Sequence, residues 1–267
     1  MKFITEKAQI VDSLQNAAAV AERRQTIPIL ANLRLKTVNG KLEVTATDLE
    51  IQIKTFSDLI EIEEEGETTV SARKMSELCR SLPEGENVNF SLSNGKLTVS
   101  SSNFHADFAT ISSDDFPEIE INEEQTPVTI ESRVLKRLLS KTSFSMASQD
   151  VRYYLNGMLW ELTSGQIRTV ATDGHRMALA DGKCDLALEE PLKAIVPRKG
   201  VVELQRLLDD DLVKIVMGTN HIRVIGGDFQ FTSKLVDGAY PDYDRVLPKG
   251  GDKVIQADRL ELKGAFG

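Results

Sequence analysis

The sequence predicts an α+β chain made of two tandem copies of one unit, each carrying two amphipathic helices packed on antiparallel sheet. Three observations predict it. First, the 267-residue chain repeats itself at an offset of 124 to 126 residues, so that Thr47-Asp48 recurs as Thr172-Asp173 and VSARKMSELCRSL (70–82) as VPRKGVVELQRLL (196–208). Second, apolar residues recur at helical spacing twice in each copy. Third, the remainder alternates apolar and polar residues between Asn-Gly turns at 39–40 and 94–95, a strong hairpin signal.

Taken in chain order, residues 6–22 place Ile10, Val11, Leu14, Ala18 and Ala21 on one helical face. The runs LRLKTV, KLEVTATDLEIQIKT, NVNFSLS and KLTVSS read as strands, and residues 73–82 form a second helix with Met75, Leu78, Cys79 and Leu82 inward. Copy two repeats the pattern with Val134, Leu135, Leu138 and Leu139 in one helix and Val201, Leu204, Leu207 and Leu208 in the next. Phe116-Pro117 and Tyr240-Pro241 close the two copies. The expected division is 1–122 and 126–245, followed at 246–267 by the opening of a third copy, DKVIQADRLELKGAFG, too short to hold a helix by itself and expected to fray unless it docks. Both units are long enough to bury a core.

The N-terminus lacks a basic region followed by an apolar stretch, and no apolar run approaches the length of a membrane span, so a soluble, cytoplasmic protein is expected. Cys79 and Cys184 have no metal spacing and read as reduced thiols, and the histidines at 105, 175 and 221 are too scattered for a metal site; no cofactor is expected. The acidic runs 61–65 and 118–124 lack EF-hand spacing and read as solvated strand and linker.

Charge is unevenly distributed. The whole chain carries −9, yet the spans read as helices (6–24, 73–82, 132–149 and 198–208) carry 0, +2, +4 and +2. Arg133, Arg137 and Lys141 follow at i, i+4, i+8 opposite the apolar stripe, with Lys136 beside them. Any one such stripe is an ordinary solvated face; its recurrence in three of four helices points to a phosphate-facing surface. Screening over about 8 Å at physiological salt lets it coexist with an acidic remainder. Cations aimed at phosphates hold DNA without reading its bases.

The segments TIPILANLRL (26–35), TDLEI (47–51), QDVRYYLNGMLWEL (149–162), TVATDGHRMALA (169–180), IVPRKGVVEL (195–204) and FTSKLVDGAYPDYDRVLPK (231–249) resemble the bacterial β sliding clamp family along the whole chain. The resemblance implies tandem DNA-clamp domains, three per chain. Two such chains close head-to-tail into a homodimeric ring, with helices lining the hole and sheets outside. It further implies a non-catalytic processivity subunit of DNA polymerase III that encircles duplex DNA. Its partners are then the polymerase III alpha subunit, the clamp loader, and other polymerases and repair proteins that dock through short linear motifs. By the same resemblance the DNA-facing set comprises Arg24, Arg73, Gln149, Tyr153, Arg198 and Lys199. The peptide groove comprises Arg152, Tyr154, Leu155, Thr172, Gly174, His175, Arg176, Met177, Pro241, Arg245 and Val246, completed in the family by the end of a third domain. An apolar floor with a few polar tips suits a leucine or aromatic anchor.

The nearest thing to a catalytic motif, Asp173-Gly174-His175-Arg176, has no nucleophile tied to it, and its copy-one counterpart lacks the histidine; it reads as part of a binding pocket. The strand at 103–108, which in the family meets the partner chain, carries Asn103 and His105 where relatives carry basic residues, with Phe104 and Phe108 as apolar bulk. A chain of this length is therefore expected to be monomeric or weakly associating. The alternative function is that of a non-ring module that only docks partner peptides.

Overall fold

The computed structural model describes residues 1–21, 27–119, 127–185, 188, 190–209, 211–248 and 250–266. In the first unit, β1 (Lys2–Glu6) leads into α1 (Lys7–Ala18), and β2 (Asn32–Val38), β3 (Lys41–Thr47), β4 (Ile51–Asp58), β5 (Glu61–Glu64) and β6 (Gly66–Ser71) precede α2 (Ala72–Ser81). It closes with β7 (Asn87–Ser93), β8 (Lys96–Ser100) and β9 (His105–Ile111). The second unit repeats the plan: β10 (Val128–Glu131), α3 (Ser132–Thr142), β11 (Gly157–Thr163), β12 (Gln166–Thr172), β13 (Met177–Lys183), β14 (Leu192–Pro197), α4 (Arg198–Leu207), β15 (Leu212–Met217), β16 (His221–Ile225) and β17 (Phe229–Lys234). Among the described residues, the counterpart of β5 is a single bridge, Thr129 to Asp185.

Local chemistry accounts for the elements. Glu6 and Gln9 form a capping box, with the Glu6 backbone N–H donating to Gln9 Oε1 at 3.0 Å, and the Ser71 hydroxyl accepts from the Lys74 N–H at the start of α2. Asn39-Gly40 and Asn94-Gly95 all have positive φ, the geometry a two-residue hairpin turn demands. Ile10, Leu14 and Ala17 of α1, Met75, Leu78 and Cys79 of α2, Leu135, Leu138 and Leu139 of α3 and Val201 and Leu204 of α4 are buried against the inward faces of the strands. Burial pushes the Cys79 thiol up to about 11, so it stays protonated.

The two units share one sheet. Its order is β10-β15-β16-β17-β4-β3-β2-β6-β9-β8-β7-β1-β5, while β13-β12-β11-β14 stand as a second sheet. The junction is the antiparallel pair β17 and β4, running from Phe229 opposite Thr55 to Ser233 opposite Ile51. It is extended by the Lys234 N–H to Glu50 O and the Phe56 N–H to Asp228 O, both 2.8 Å. Lys199 at the start of α4 pairs with Asp48 in the β3–β4 turn across the same junction. On the outer face, Glu118 is held by Arg34 and by Lys54 Nζ at 2.6 Å, and the Ile119 N–H donates to Gln52 Oε1 at 2.9 Å. This part of the acidic run is thus an ionic strap across the sheet, not a solvated linker.

Three expectations need correction. The basic helix read over 132–149 ends at Thr142; its hydroxyl turns back to Leu138 O at 2.8 Å, and a single 3-10 turn, Ser143–Ser145, follows. Phe104 and Phe108 do not dress the β9 edge. Phe108 is buried in the core and Phe104 packs against it. The segment after residue 250 does form a helix, α5 (Arg259–Phe266), because Asp258 Oδ1 accepts the N–H groups of Leu260 and Glu261; none of its side chains is buried.

Candidate DNA surface and peptide groove

The corner between β12 and β13 organises the groove. Asp173 Oδ1 accepts the N–H groups of His175 (2.9 Å) and Arg176 (3.0 Å), and its Oδ2 pairs with Arg176 Nε at 3.1 Å. The two backbone donors above all, with Arg176, hold the Asp173 carboxyl down to about 2. Thr172 Oγ1 accepts the Gly174 N–H and donates to Arg176 O at 2.8 Å. Copy one builds the same corner: Asp48 Oδ1 accepts from Glu50 and Ile51, and the Thr47 hydroxyl bonds Leu49 N–H and Ile51 O. Gly174 has φ +87 and its counterpart Leu49 +76, so the turn imposes a left-handed residue in both copies. The Arg152 guanidinium lies over Gly174, where a Cβ would come within 3.2 Å of Nη2.

Around that corner the outer face of the second sheet carries its own apolar cluster, separate from the main core. Leu159, Val170, Ile195 and Tyr243 form its buried part, with Tyr154, Met177, Leu179, Val236, Tyr240 and Leu247 packed on them half-buried. Of the residues expected in the groove, Tyr154 and Met177 belong to this cluster; Leu155 lies beneath the surface at 1% exposure. Gly174, His175, Arg176, Pro241, Arg245 and Val246 are exposed, each within three residues in sequence of a member of this cluster, and Thr172 is half-buried. Arg152 is held by Asp150, its Nε 3.0 Å from Oδ1 and its Nη2 2.8 Å from Oδ2, and this fork pulls the Asp150 carboxyl to about 2. Arg245 pairs with Asp242 at 2.8 Å.

Sequence reasoning missed Leu159, Val170, Leu179, Ile195, Tyr240 and Tyr243. A signal was present: β11 reads Met158-Leu159-Trp160 without a polar break, whereas the strand of copy one alternates, and an unbroken apolar run marks a strand covered on both faces.

Helices α2, α3 and α4 each carry a net positive charge. Arg73 stands exposed in the first turn of α2 with Glu77 beside it at 2.9 Å. Arg80 and Arg206, repeat equivalents on α2 and α4, line one cavity of about 410 Å³ together with Gln15, Ala18, Ala19, Ala21 and Ser76, so the helices of the two units meet across the junction. Neither arginine was singled out as a site residue from sequence. Arg198 donates to Met146 O at 3.0 Å, which brings it beside the loop bearing Gln149 (φ +58) and the exposed Tyr153. Gln149 and Arg198 share a cavity of about 500 Å³ with Phe144, Asp173, His175 and Arg176, and the Arg176 guanidinium sits 5.7 Å from the Phe144 ring. Lys199, expected to face DNA, is engaged with the nearly buried Asp48. Arg24 lies outside the described residues. The stripe on α3 is partly committed: Arg133 pairs with Glu131, Lys136 Nζ donates to Leu208 O at the end of α4 (2.7 Å), and Arg137 reaches Asp181 O on β13 at 3.5 Å.

Comparison with known proteins gives the family. Residues 1–120 match the family model for the DNA polymerase III beta subunit, N-terminal domain, and residues 129–242 that for its central domain. The beta sliding clamp of Pseudomonas putida is 45% identical over 268 residues, and that of Escherichia coli K12 44% over 271, each alignment covering all of this chain and 73% of the relative. Among solved structures, the sliding clamp (DNA polymerase III subunit beta) from Pseudomonas aeruginosa bound to griselimycin superposes with TM-score 0.96 at 44% identity, over the whole of this chain and 73% of that one. The clamp from Bacillus subtilis superposes with TM-score 0.88 at 28% identity, over 94% of this chain and 68% of that one. Two units built on one plan, a shared sheet, and 45% identity over the whole of this chain to a relative of which it covers 73% thus identify the chain as a member of the beta sliding clamp family, the DNA polymerase III beta subunit.

Proposed function

We propose that the two faces divide the work of a sliding clamp. The helical side, through Arg73, Gln149, Tyr153 and Arg198, with Arg80 and Arg206 added from their placement, contacts duplex DNA through its phosphates and carries no base preference. The outer groove of the second unit captures short linear motifs of the polymerase III alpha subunit, the clamp loader, and other polymerases and repair proteins, tethering them to DNA. The protein works without catalysis, metal or cofactor, in the cytoplasm. In the complete ring two chains of the relatives' full length, of which this chain spans 73%, surround the duplex.

The observation that carries the reading is the apolar cluster centred on Leu159, Val170, Ile195 and Tyr243, which lies apart from the core; the exposed His175, Arg176, Arg245 and Val246 flank its members Met177, Tyr243 and Leu247 in sequence. Such a floor takes one or two apolar side chains while the rim fixes the peptide backbone. The test is fluorescence anisotropy with a labelled pentapeptide ending in leucine-phenylalanine. Saturable binding by this chain, lost in a His175→Ala, Met177→Ala variant, is expected; equal binding by both proteins would remove the groove from the proposal.

A further inference from the structure

The groove has one wall that belongs to no strand or α-helix. Residues 240–247, carrying Pro241, Arg245 and Val246, run past the end of β17 with a single 3-10 turn, Tyr243–Arg245. A segment of this kind has little backbone bonding of its own and loses order easily. Two tyrosine hydroxyls fasten it to the sheet. Tyr240 Oη accepts the Thr172 N–H at 3.0 Å, at the last residue of β12 and one residue before the Asp173 corner. Tyr243 Oη donates to Glu161 Oε2 on β11 at 2.5 Å and accepts from Arg168 Nη1 on β12 at 3.3 Å. Glu161 and Arg168 are themselves held, the first by Lys193 at 2.6 Å and the second by a two-point bond to Asp181 at 2.7 and 3.1 Å. Both tyrosine rings lie in the groove's apolar cluster, Tyr243 in its buried part, so each ring helps form the floor while its hydroxyl anchors the wall.

Copy one supplies the contrast. Its counterparts of Tyr240 and Tyr243 are Phe116 and Ile119, which have no hydroxyl. There the segment is fixed by Arg34 stacked on Phe116 and by the Glu118 ion pairs. Its corner is occupied by the junction, Asp48 by Lys199 and Glu50 O by Lys234. The hydroxyl anchors therefore occur in the copy whose corner stays open.

We infer that Tyr240 and Tyr243 are positioning residues of the peptide groove, holding wall 240–247 in its binding shape before a peptide arrives, with Glu161 and Arg168 as their sockets. The inference rests on the groove being the docking site. Losing a hydrogen bond to a charged group loosens the wall, and the ordering cost then falls on the binding step. Tyr243→Phe keeps the ring in the floor and should weaken the leucine-phenylalanine pentapeptide about tenfold, the loss of one charge-assisted bond in part.

The experiment combines anisotropy with amide hydrogen exchange on the full chain. In Tyr243→Phe, exchange at 242–247 should quicken, and in Tyr240→Phe the Thr172 amide should lose protection, while the core helices exchange as before. Glu161→Gln keeps an acceptor for the hydroxyl and should restore most of the affinity that Glu161→Leu loses. Unchanged peptide affinity and exchange in Tyr243→Phe, with the His175→Ala, Met177→Ala variant still failing to bind, would overturn the inference and leave the groove intact. Absence of peptide binding by the unaltered chain would instead overturn the groove itself. Quickened exchange throughout the second unit would make the tyrosines general packing residues and so overturn the inference as well.

Discussion

Removing the Lys199–Asp48 pair should weaken the junction between the two units. The Asp48 side chain is 4% exposed and that of Lys199 38%, so the pair sits between a surface ion pair, worth about 0.5 kcal/mol, and a buried one, whose breaking costs about 3–5 kcal/mol. A coupling of about 1–2 kcal/mol follows from a double-mutant cycle of Lys199→Ala and Asp48→Asn. Asp48→Asn can keep an acceptor for the Glu50 and Ile51 N–H groups, so the corner stays folded and the charge is what changes. The single tryptophan, Trp160, is fully buried in the second unit and reports its unfolding in urea. With a slope of about 2–3 kcal/mol per molar for a unit this size, its midpoint should fall by about 0.5 M in Lys199→Ala. Circular dichroism, which follows both units, should then separate from the Trp160 signal as cooperation across the junction declines. A coupling below about 0.3 kcal/mol, within the scatter of independent sites, would show that β17 and β4 hold the units together without the ion pair.

Further predictions test the two faces. Replacing both Arg73 and Arg198 by Ala should lower duplex affinity equally for unrelated sequences and reduce the salt slope by about 2, about 1 per phosphate contact, by anisotropy at several salt concentrations. A Cβ on Gly157 would lie 2.7 Å from Ile195 Cγ2 and 2.8 Å from Val196 O, so Gly157→Ala should cost about 1–3 kcal/mol in denaturant unfolding and deform the groove floor at Ile195. The carboxyls of Asp150 and Asp173 are depressed from 3.8 to about 2; their contribution to stability is complete above the unfolded value and is lost as pH falls from about 4 through 2. Carbon NMR titration should find both midpoints near 2, and values near 3.8 would mean that the Arg152 fork and the Asp173 corner do not persist in solution.

Much of the fold was legible because its signals are local. Apolar spacing placed the four core helices, Asn-Gly pairs placed two hairpins, and the repeat made each copy a check on the other. Reading failed at element ends, where Thr142 stops α3 early and Asp258 starts α5 in a segment expected to fray. It failed also for Phe104 and Phe108, since pattern alone does not say which face of a strand at a sheet edge meets the core.

The sequence by itself determined the repeat, the α+β class, the bias of cations toward the helices and the family, because these depend on residue order and on the resemblance it carries. Only the tertiary structure decided which identical-looking corner becomes a junction and which a groove. Asp48 and Lys199 stand 151 residues apart, and Tyr243 and Glu161 stand 82 apart. Pairing of β17 with β4 sets Lys199 against Asp48, and the segment 240–247 laid over the second sheet sets Tyr243 against Glu161. The same Thr-Asp turn is then covered in copy one by the second unit and left open in copy two, where the outer apolar face and the tyrosine anchors gather around it.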